Sequence, residues 1–252
     1  MTDAKTLAYI NMYAILGTLE NLCELDPKAS ELVKTKKPVS VGLAVKGGPS
    51  ATLFFQNGRC RMEQGTKNCD TLLPFSSCEK FNGLIDGTVT PIPTKGFTKI
   101  GFLLKQFTPL TDLLTVYLRP SKEDLADDTF FEISTKMMLA VISVALSQIG
   151  NNDKIGKFSA SQIPDGIVSI GIKDVMYSTI RVQDSHMVTI KQKTEDFHAS
   201  MEFSDIRLAR QLFDNEINSI AAVGEGKIVM RGMINTVDNV NRILDRVAVY
   251  LA

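Results

Sequence analysis

Apolar residues near the start of the chain recur every three or four positions: Leu7, Ile10, Tyr13, Ala14, Leu16 and Leu19 share one face. That period predicts a helix from Thr6 to Leu25, stopped at Asp26-Pro27, with a second short helix over Ala29 to Val33. The pattern then changes. Val39 to Val45 reads as a strand, and Lys46-Gly47-Gly48-Pro49 turns the chain. Ala51 to Gln56 and Arg59 to Glu63 flank Asn57-Gly58, a pair that tolerates the positive φ angles of a type I′ hairpin turn. Cys69 to Phe75 predicts another strand and Ser76 to Ile85 a helix capped by Ser76 or Ser77. Lys99 to Leu104 reads as a further strand, and Thr108 to Leu118 as a closing helix.

The second half repeats this order. After the charged segment Ser121 to Asp128, Phe130 to Ile149 predicts a long apolar helix, and Asn151 to Pro164 a loop. Ile167 to Ile172 answers the first strand, with Gly171 opposite Gly42 in the comparison. Ser178 to Val182 and Met187 to Lys191 repeat the hairpin around Asp184-Ser185. Ala199 to Phe203, Asp205 to Phe213, Lys227 to Met230 and Val237 to Leu251 complete it. Phe75-Ser76 and Phe203-Ser204, Gly96 and Gly224, and Lys99 and Lys227 all stand 128 residues apart. Self-similarity at so long a fixed offset predicts a duplicated domain, with 1–120 and 121–252 as its two copies. Strand runs and helix runs do not alternate as a parallel sheet requires, so the expected class is α+β.

Composition narrows function by exclusion. Lys+Arg and Asp+Glu number 28 each, so no global field favours nucleic acid or an anionic membrane. The apolar run Met137 to Ala145 is too short for a bilayer span, which argues against stable membrane insertion. No leader-like run opens the chain and no peroxisomal signal closes it, so a cytoplasmic location is expected. Cys23, Cys60, Cys69 and Cys78 form no C-x-x-C pair and lie far from His186 and His198; free thiols and no metal site are expected.

Catalytic patterns are equally sparse. Gly224-Glu225-Gly226-Lys227 lacks the spacing of a phosphate loop and reads as a glycine turn into a strand. Ser185-His186 sits at a hairpin tip without an orienting third group. Arg231, Arg242 and Arg246 read as structural ion-pair partners, with contact to a ligand head group as the alternative. Neither a catalytic site nor a cofactor is expected. The distinctive feature is a surplus of apolar residues around the two closing segments. Phe81, Leu84, Ile85, Phe102, Leu104, Phe107, Leu110, Leu113 and Leu114 in the first half, with Leu208, Leu212, Phe213, Met230, Met233, Val237 and Val240 in the second, either form plain core or line an apolar cavity.

The stretch Ala51 to Leu114 resembles the sterol carrier protein (type 2-like) sterol-binding domain family. The resemblance rests on Thr52 to Gly58, Phe75-Ser76, Leu84-Ile85-Asp86-Gly87 and Pro91 to Ile100. Ile167 to Leu251 is similar through Phe203-Ser204, Leu212-Phe213-Asp214 and Gly224 to Ile228. The resemblance implies an α+β domain with a mainly antiparallel sheet, here in two tandem copies. It also implies an apolar tunnel for a sterol, fatty acid or acyl-CoA, and no catalytic residue. The apolar residues named above are then the candidate lipid contacts. A scaffold module with closed cavities is the alternative, and a homodimer is compatible with either.

Overall fold

The computed structural model describes residues 2–190, 194 and 196–251. Its contacts divide the chain into two compact units, Met1–Ile133 and Ser134–Ala252. The division falls later than the charged segment suggested, because Phe130 stacks on Tyr117 of the first unit (4.4 Å between ring centroids, 11° between planes).

Unit 1 opens with α1 (Ala4–Ile10), a π-helical turn (Asn11–Ile15), a 3-10 turn (Leu16–Thr18), α2 (Leu19–Leu25) and α3 (Pro27–Leu32). The strands β1 (Val39–Val45), β2 (Ser50–Gln56), β3 (Arg59–Gln64) and β4 (Thr71–Phe75) pair in the order β3-β2-β1-β4. β1 is antiparallel to β2 and parallel to β4. Then follow α4 (Cys78–Ile85), α5 (Ile100–Phe102), a π-helical turn (Leu103–Phe107) and α6 (Thr108–Leu118). Val41, Leu43, Leu53, Phe55 and Leu73 are fully or almost fully buried on one sheet face, against the helices.

α7 (Asp128–Asn152) crosses the unit boundary. Among the described residues it alone is long and apolar enough to cross a membrane, and half of its most apolar window is buried inside the protein. Its polar groups hold it to the unit 2 sheet: Ser147 and Thr189 share a hydroxyl contact at 2.6 Å, and the Asn151 side chain bonds both the N–H and the C=O of Met187. Unit 2 continues with α8 (Lys154–Ala160), β5 (Gly166–Ile172), β6 (Met176–Gln183) and β7 (His186–Ile190). It ends with β8 (Ala199–Phe203), α9 (Ile206–Phe213), α10 (Ser219–Gly224), β9 (Ile228–Gly232) and α11 (Ile234–Leu251). The strand order is β7-β6-β5-β8-β9, again with one parallel pair, β5 with β8. Lys191, expected at the end of β7, lies outside the described residues.

The units match in register as well as order. Both hairpins turn through two residues with positive φ, Asn57-Gly58 (52° and 77°) and Asp184-Ser185 (50° and 63°), as a type I′ turn requires. Ser77 caps α4 and Asp205 caps α9 by accepting backbone N–H groups. One buried side chain on each of these helices reaches the first helix of its own unit. Asn82 bonds Asn11 and the Ala4 carbonyl, whereas Arg210 donates to Ser134 at 2.9 Å.

Four expectations are corrected. Lys99 to Leu104 is helical, and the fifth strand of sheet 1 shrinks to one bridge, Leu72 with Lys95. Pro91 and Pro93 precede that bridge; proline cannot donate to a sheet ladder, and the equivalent stretch of unit 2 has none. Asn151 to Pro164 is no loop: Asp153 accepts the N–H groups of Ile155 and Gly156 and starts α8. Val45 pairs with Phe75 and Ile172 with Phe203, so the register matches Gly42 with Ser169 rather than with Gly171. Finally, Gly96 corresponds to Gly232 and not to Gly224. Gly96 (φ 82°) and Gly232 (φ 113°) each precede the closing helix, and a Cβ on either would collide with the backbone that begins β4 or β8. Gly96→Ala and Gly232→Ala are each expected to cost about 1–3 kcal/mol. Gly101→Ala, in α5 with open space around it, should be neutral or stabilising. Urea unfolding of the three variants checks this.

Candidate functional site

The two inner sheet faces and the helices over them contain most of the expected lipid contacts. Phe81, Phe102, Phe107, Leu110, Leu114, Leu208 and Val240 are buried. Leu84, Ile85, Leu113, Leu212, Phe213, Met230 and Val237 are half-buried. Leu104 and Met233 are exposed, at 66% and 51%.

These side chains form several packing groups. Phe102 and Phe107 meet the fully buried Phe55 at 5.3 and 6.0 Å between ring centroids, filling the space between β2 and the closing helical segment. Phe81 sits edge-on to Phe75 (5.1 Å), and Phe213 edge-on to Phe203 (5.7 Å). Sequence periodicity did not select Phe55, Phe75 or Phe203 as contacts, although strand alternation would have put each on its inner face.

Exposed apolar side chains gather where each sheet passes into its closing helix. Unit 1 exposes Ile92 (75%), Phe97 (63%) and Leu104 there, and unit 2 exposes Met233 and Ile234 (87%). In unit 1 this segment is irregular, with a 3-10 turn over Phe97–Lys99 and the π-helical turn over Leu103–Phe107.

Each closing helix is tied back by a tyrosine. Tyr117 donates to Asp26 at 3.1 Å and Tyr250 to Asp153 at 2.9 Å; the two aspartates cap α3 and α8. Burial beside Asp26 pushes the Tyr117 hydroxyl up to about 12. The Cys23 thiol, also pushed to about 12 by burial and by Asp26, is held protonated and unreactive. Arg246 joins the second pair, donating to Asp153 at 2.9 Å, and Arg242 pairs with Asp238 at 3.0 Å on the surface. Among the described residues no three His, Cys, Asp or Glu side chains are grouped to hold a metal ion.

A cavity of about 200 Å³ lies elsewhere, on the outer face of the unit 2 sheet, and none of the expected lipid contacts lines it.

No protein-family profile and no curated protein matches the sequence. Among solved structures, a UbiJ-SCP2 ubiquinone synthesis protein is similar at 15% identity, covering 43% of this chain and 93% of its own, with a TM-score of 0.34. The sterol carrier protein domain 2 of Helicoverpa armigera is similar at 14% identity, covering 44% of this chain and 88% of its own, with a TM-score of 0.36. The inverting sec-alkylsulfatase Pisa1 from Pseudomonas sp. is similar at 8% identity, over 59% of this chain and 28% of its own, with a TM-score of 0.25.

Proposed function

We infer that the chain is a tandem pair of sterol-carrier-like units that binds a hydrophobic molecule of the sterol, fatty acid or acyl-CoA class, without catalysis. One observation carries this reading. Apolar side chains stand in solvent at matching places in both units, immediately after Gly96 and after Gly232, beside an apolar inner sheet face. Exposed apolar groups gathered at one place mark an interaction site. The irregular segment of unit 1, a 3-10 turn and a π-helical turn, has a less regular hydrogen-bond ladder to break when it moves aside for cargo.

Delipidated protein is expected to take up a fluorescent fatty acid with saturable stoichiometry. Leu104→Asp with Ile234→Asp should weaken uptake by roughly tenfold or more, since burying an unpaired carboxylate against a lipid is costly. Unchanged uptake in the double variant would overturn this reading.

The packing of Phe102 and Phe107 on Phe55 favours a second reading, a scaffold unit with a closed interior. Native mass spectrometry separates the two: a carrier shows lipid adducts after fatty-acid addition, and a closed scaffold shows none.

A further inference from the structure

We propose that unit 2 holds a second, polar binding site on the outer face of its sheet, suited to a small zwitterion with an apolar side chain. An α-amino acid is its simplest representative. This site is separate from the hydrophobic one and does not depend on it.

The strand register builds the site. Ser169 pairs with Thr179 and with Ser200, and Ser200 pairs with Arg231, so these residues form one row across the outer face. The next row runs from Tyr177 through Gly171 to Glu202. Gly171 is required there: a Cβ would collide with the Tyr177 ring, which lies across β5. Tyr177 thereby donates its hydroxyl to Glu202 at 2.8 Å. Ser169, Ser200 and Arg231 of one row and Tyr177 and Glu202 of the other line the cavity of about 200 Å³, together with Thr194 and Phe197 from the segment before β8.

Two opposite charges line this space, Arg231 and Glu202, and the Tyr177 bond occupies only one of the two Glu202 carboxylate oxygens. The Arg231 side chain has no hydrogen-bond or ion-pair partner among the described residues, Glu202 included. A guanidinium presents a planar fork that fits a carboxylate through two parallel bonds. A simple anion would gain Arg231 and be opposed by Glu202 in the adjoining row. A zwitterion satisfies both, with its carboxylate on Arg231 and its ammonium on Glu202. Phe197 then offers an apolar wall to the side chain. The volume falls below the 300–1,000 Å³ typical of sites for drug-sized ligands, so the ligand is small.

Unit 1 shows the same place closed. By register and offset, Gly42 stands for Ser169, Leu72 for Ser200, Cys69 for Phe197 and Lys95 for Arg231. Cys69 and Leu72 pack so tightly onto Gly42 that a Cβ there would meet the Cys69 Sγ at 2.7 Å and Leu72 at 3.3 Å. The Lys95 ammonium is engaged, donating to the Cys69 carbonyl at 2.7 Å. One unit has therefore filled the position with sulfur and carbon. The other keeps hydroxyls, a space and a cation whose side chain is unengaged among the described residues.

The test uses the full chain titrated calorimetrically with L-leucine. Parallel arms use 4-methylpentanoate, which lacks the ammonium, and 3-methylbutylamine, which lacks the carboxylate. Leucine is expected to bind saturably with a Kd of roughly millimolar order, as suits so small a ligand. Each single-charge analogue, and leucine with Arg231→Ala, should bind at least about tenfold more weakly. Ser200→Leu, which copies the unit 1 residue, should abolish leucine binding and leave fatty-acid uptake unchanged. Arg231 is exposed, so its variant reports even if Ser200→Leu disturbs the sheet. Absence of saturable leucine binding, equal affinity in Arg231→Ala, or an analogue that binds as tightly as leucine would each overturn the proposal.

Discussion

Phe55→Ala is expected to destabilise unit 1 by about 3–5 kcal/mol, the usual cost of deleting a buried aromatic ring and leaving its space unfilled. Phe55 is fully buried in the middle of sheet 1, and Phe102 and Phe107 close on it from the helical side at 5.3 and 6.0 Å. Its neighbour Phe54 points to the other face, half-buried, with the Arg61 guanidinium 5.3 Å from its ring centre. Phe54→Ala should therefore cost about 1 kcal/mol, near the worth of an exposed cation–π contact plus partial burial. Urea unfolding followed by a probe in unit 1 compares the two, since a chain of two compact units can unfold in two steps. Equal losses would mean that the inner face is not the core of the unit.

Asp153→Ala is expected to cost unit 2 a similar amount, about 3–5 kcal/mol, because it breaks a buried ion pair by removing its carboxylate. Asp153 is 4% exposed and accepts from the backbone N–H groups of Ile155 and Gly156, from Arg246 and from Tyr250. Burial by itself would raise its pKa. The bonds from Arg246, Gly156 and Tyr250 outweigh burial and hold it below the ordinary 3.8. A carboxylate depressed in the folded state contributes stability above its unfolded pKa. That contribution is lost as pH falls through the lower, folded value. The wild-type chain should thus keep this part of its stability down to pH near 4 and lose it only in stronger acid, and Asp153→Asn should lack that acid-dependent component. Asp26→Ala, which removes the acceptor of one neutral hydroxyl bond and the α3 cap, should cost less, about 1–3 kcal/mol. Denaturation at a series of pH values reads all three.

The elements that were legible in sequence are those with a local cause. Periodicity placed α6 and β4 closely, the Asn57-Gly58 turn followed from its φ angles, and the capped helix after Phe75 followed from Ser77. The misreadings have non-local causes. Lys99 to Leu104 is apolar enough for a strand, but the match of Gly96 with Gly232 puts it opposite Asn235 to Val240, at the start of the closing helical segment. The match of Gly96 with Gly224 looked sound as spacing. It fails because unit 2 inserts α10 before β9, whereas the glycine is needed at the point where backbone meets backbone.

The same division holds for the sites. An apolar surplus near the closing helices could be read from composition. Which of those residues are packed and which stand in solvent depends on how the helix turns over the sheet, so Phe107 is buried while Leu104 is exposed. Of the outer-face residues only Arg231 stood out in the sequence; Ser169, Tyr177, Ser200 and Glu202 gave no signal, and the five are scattered over four strands. They become neighbours only through register.

By itself, the sequence determined an α+β chain of two similar halves, because hydrophobic period, turn residues and caps act within a few positions of one another. The tertiary structure alone decided which glycines correspond, how the tyrosine and aspartate pairs fasten each closing helix, and that one sheet keeps a polar hollow where the other is filled. Those features arise from strand pairing and side-chain packing between residues as far as 25 to 97 positions apart, a range over which local preferences carry no information.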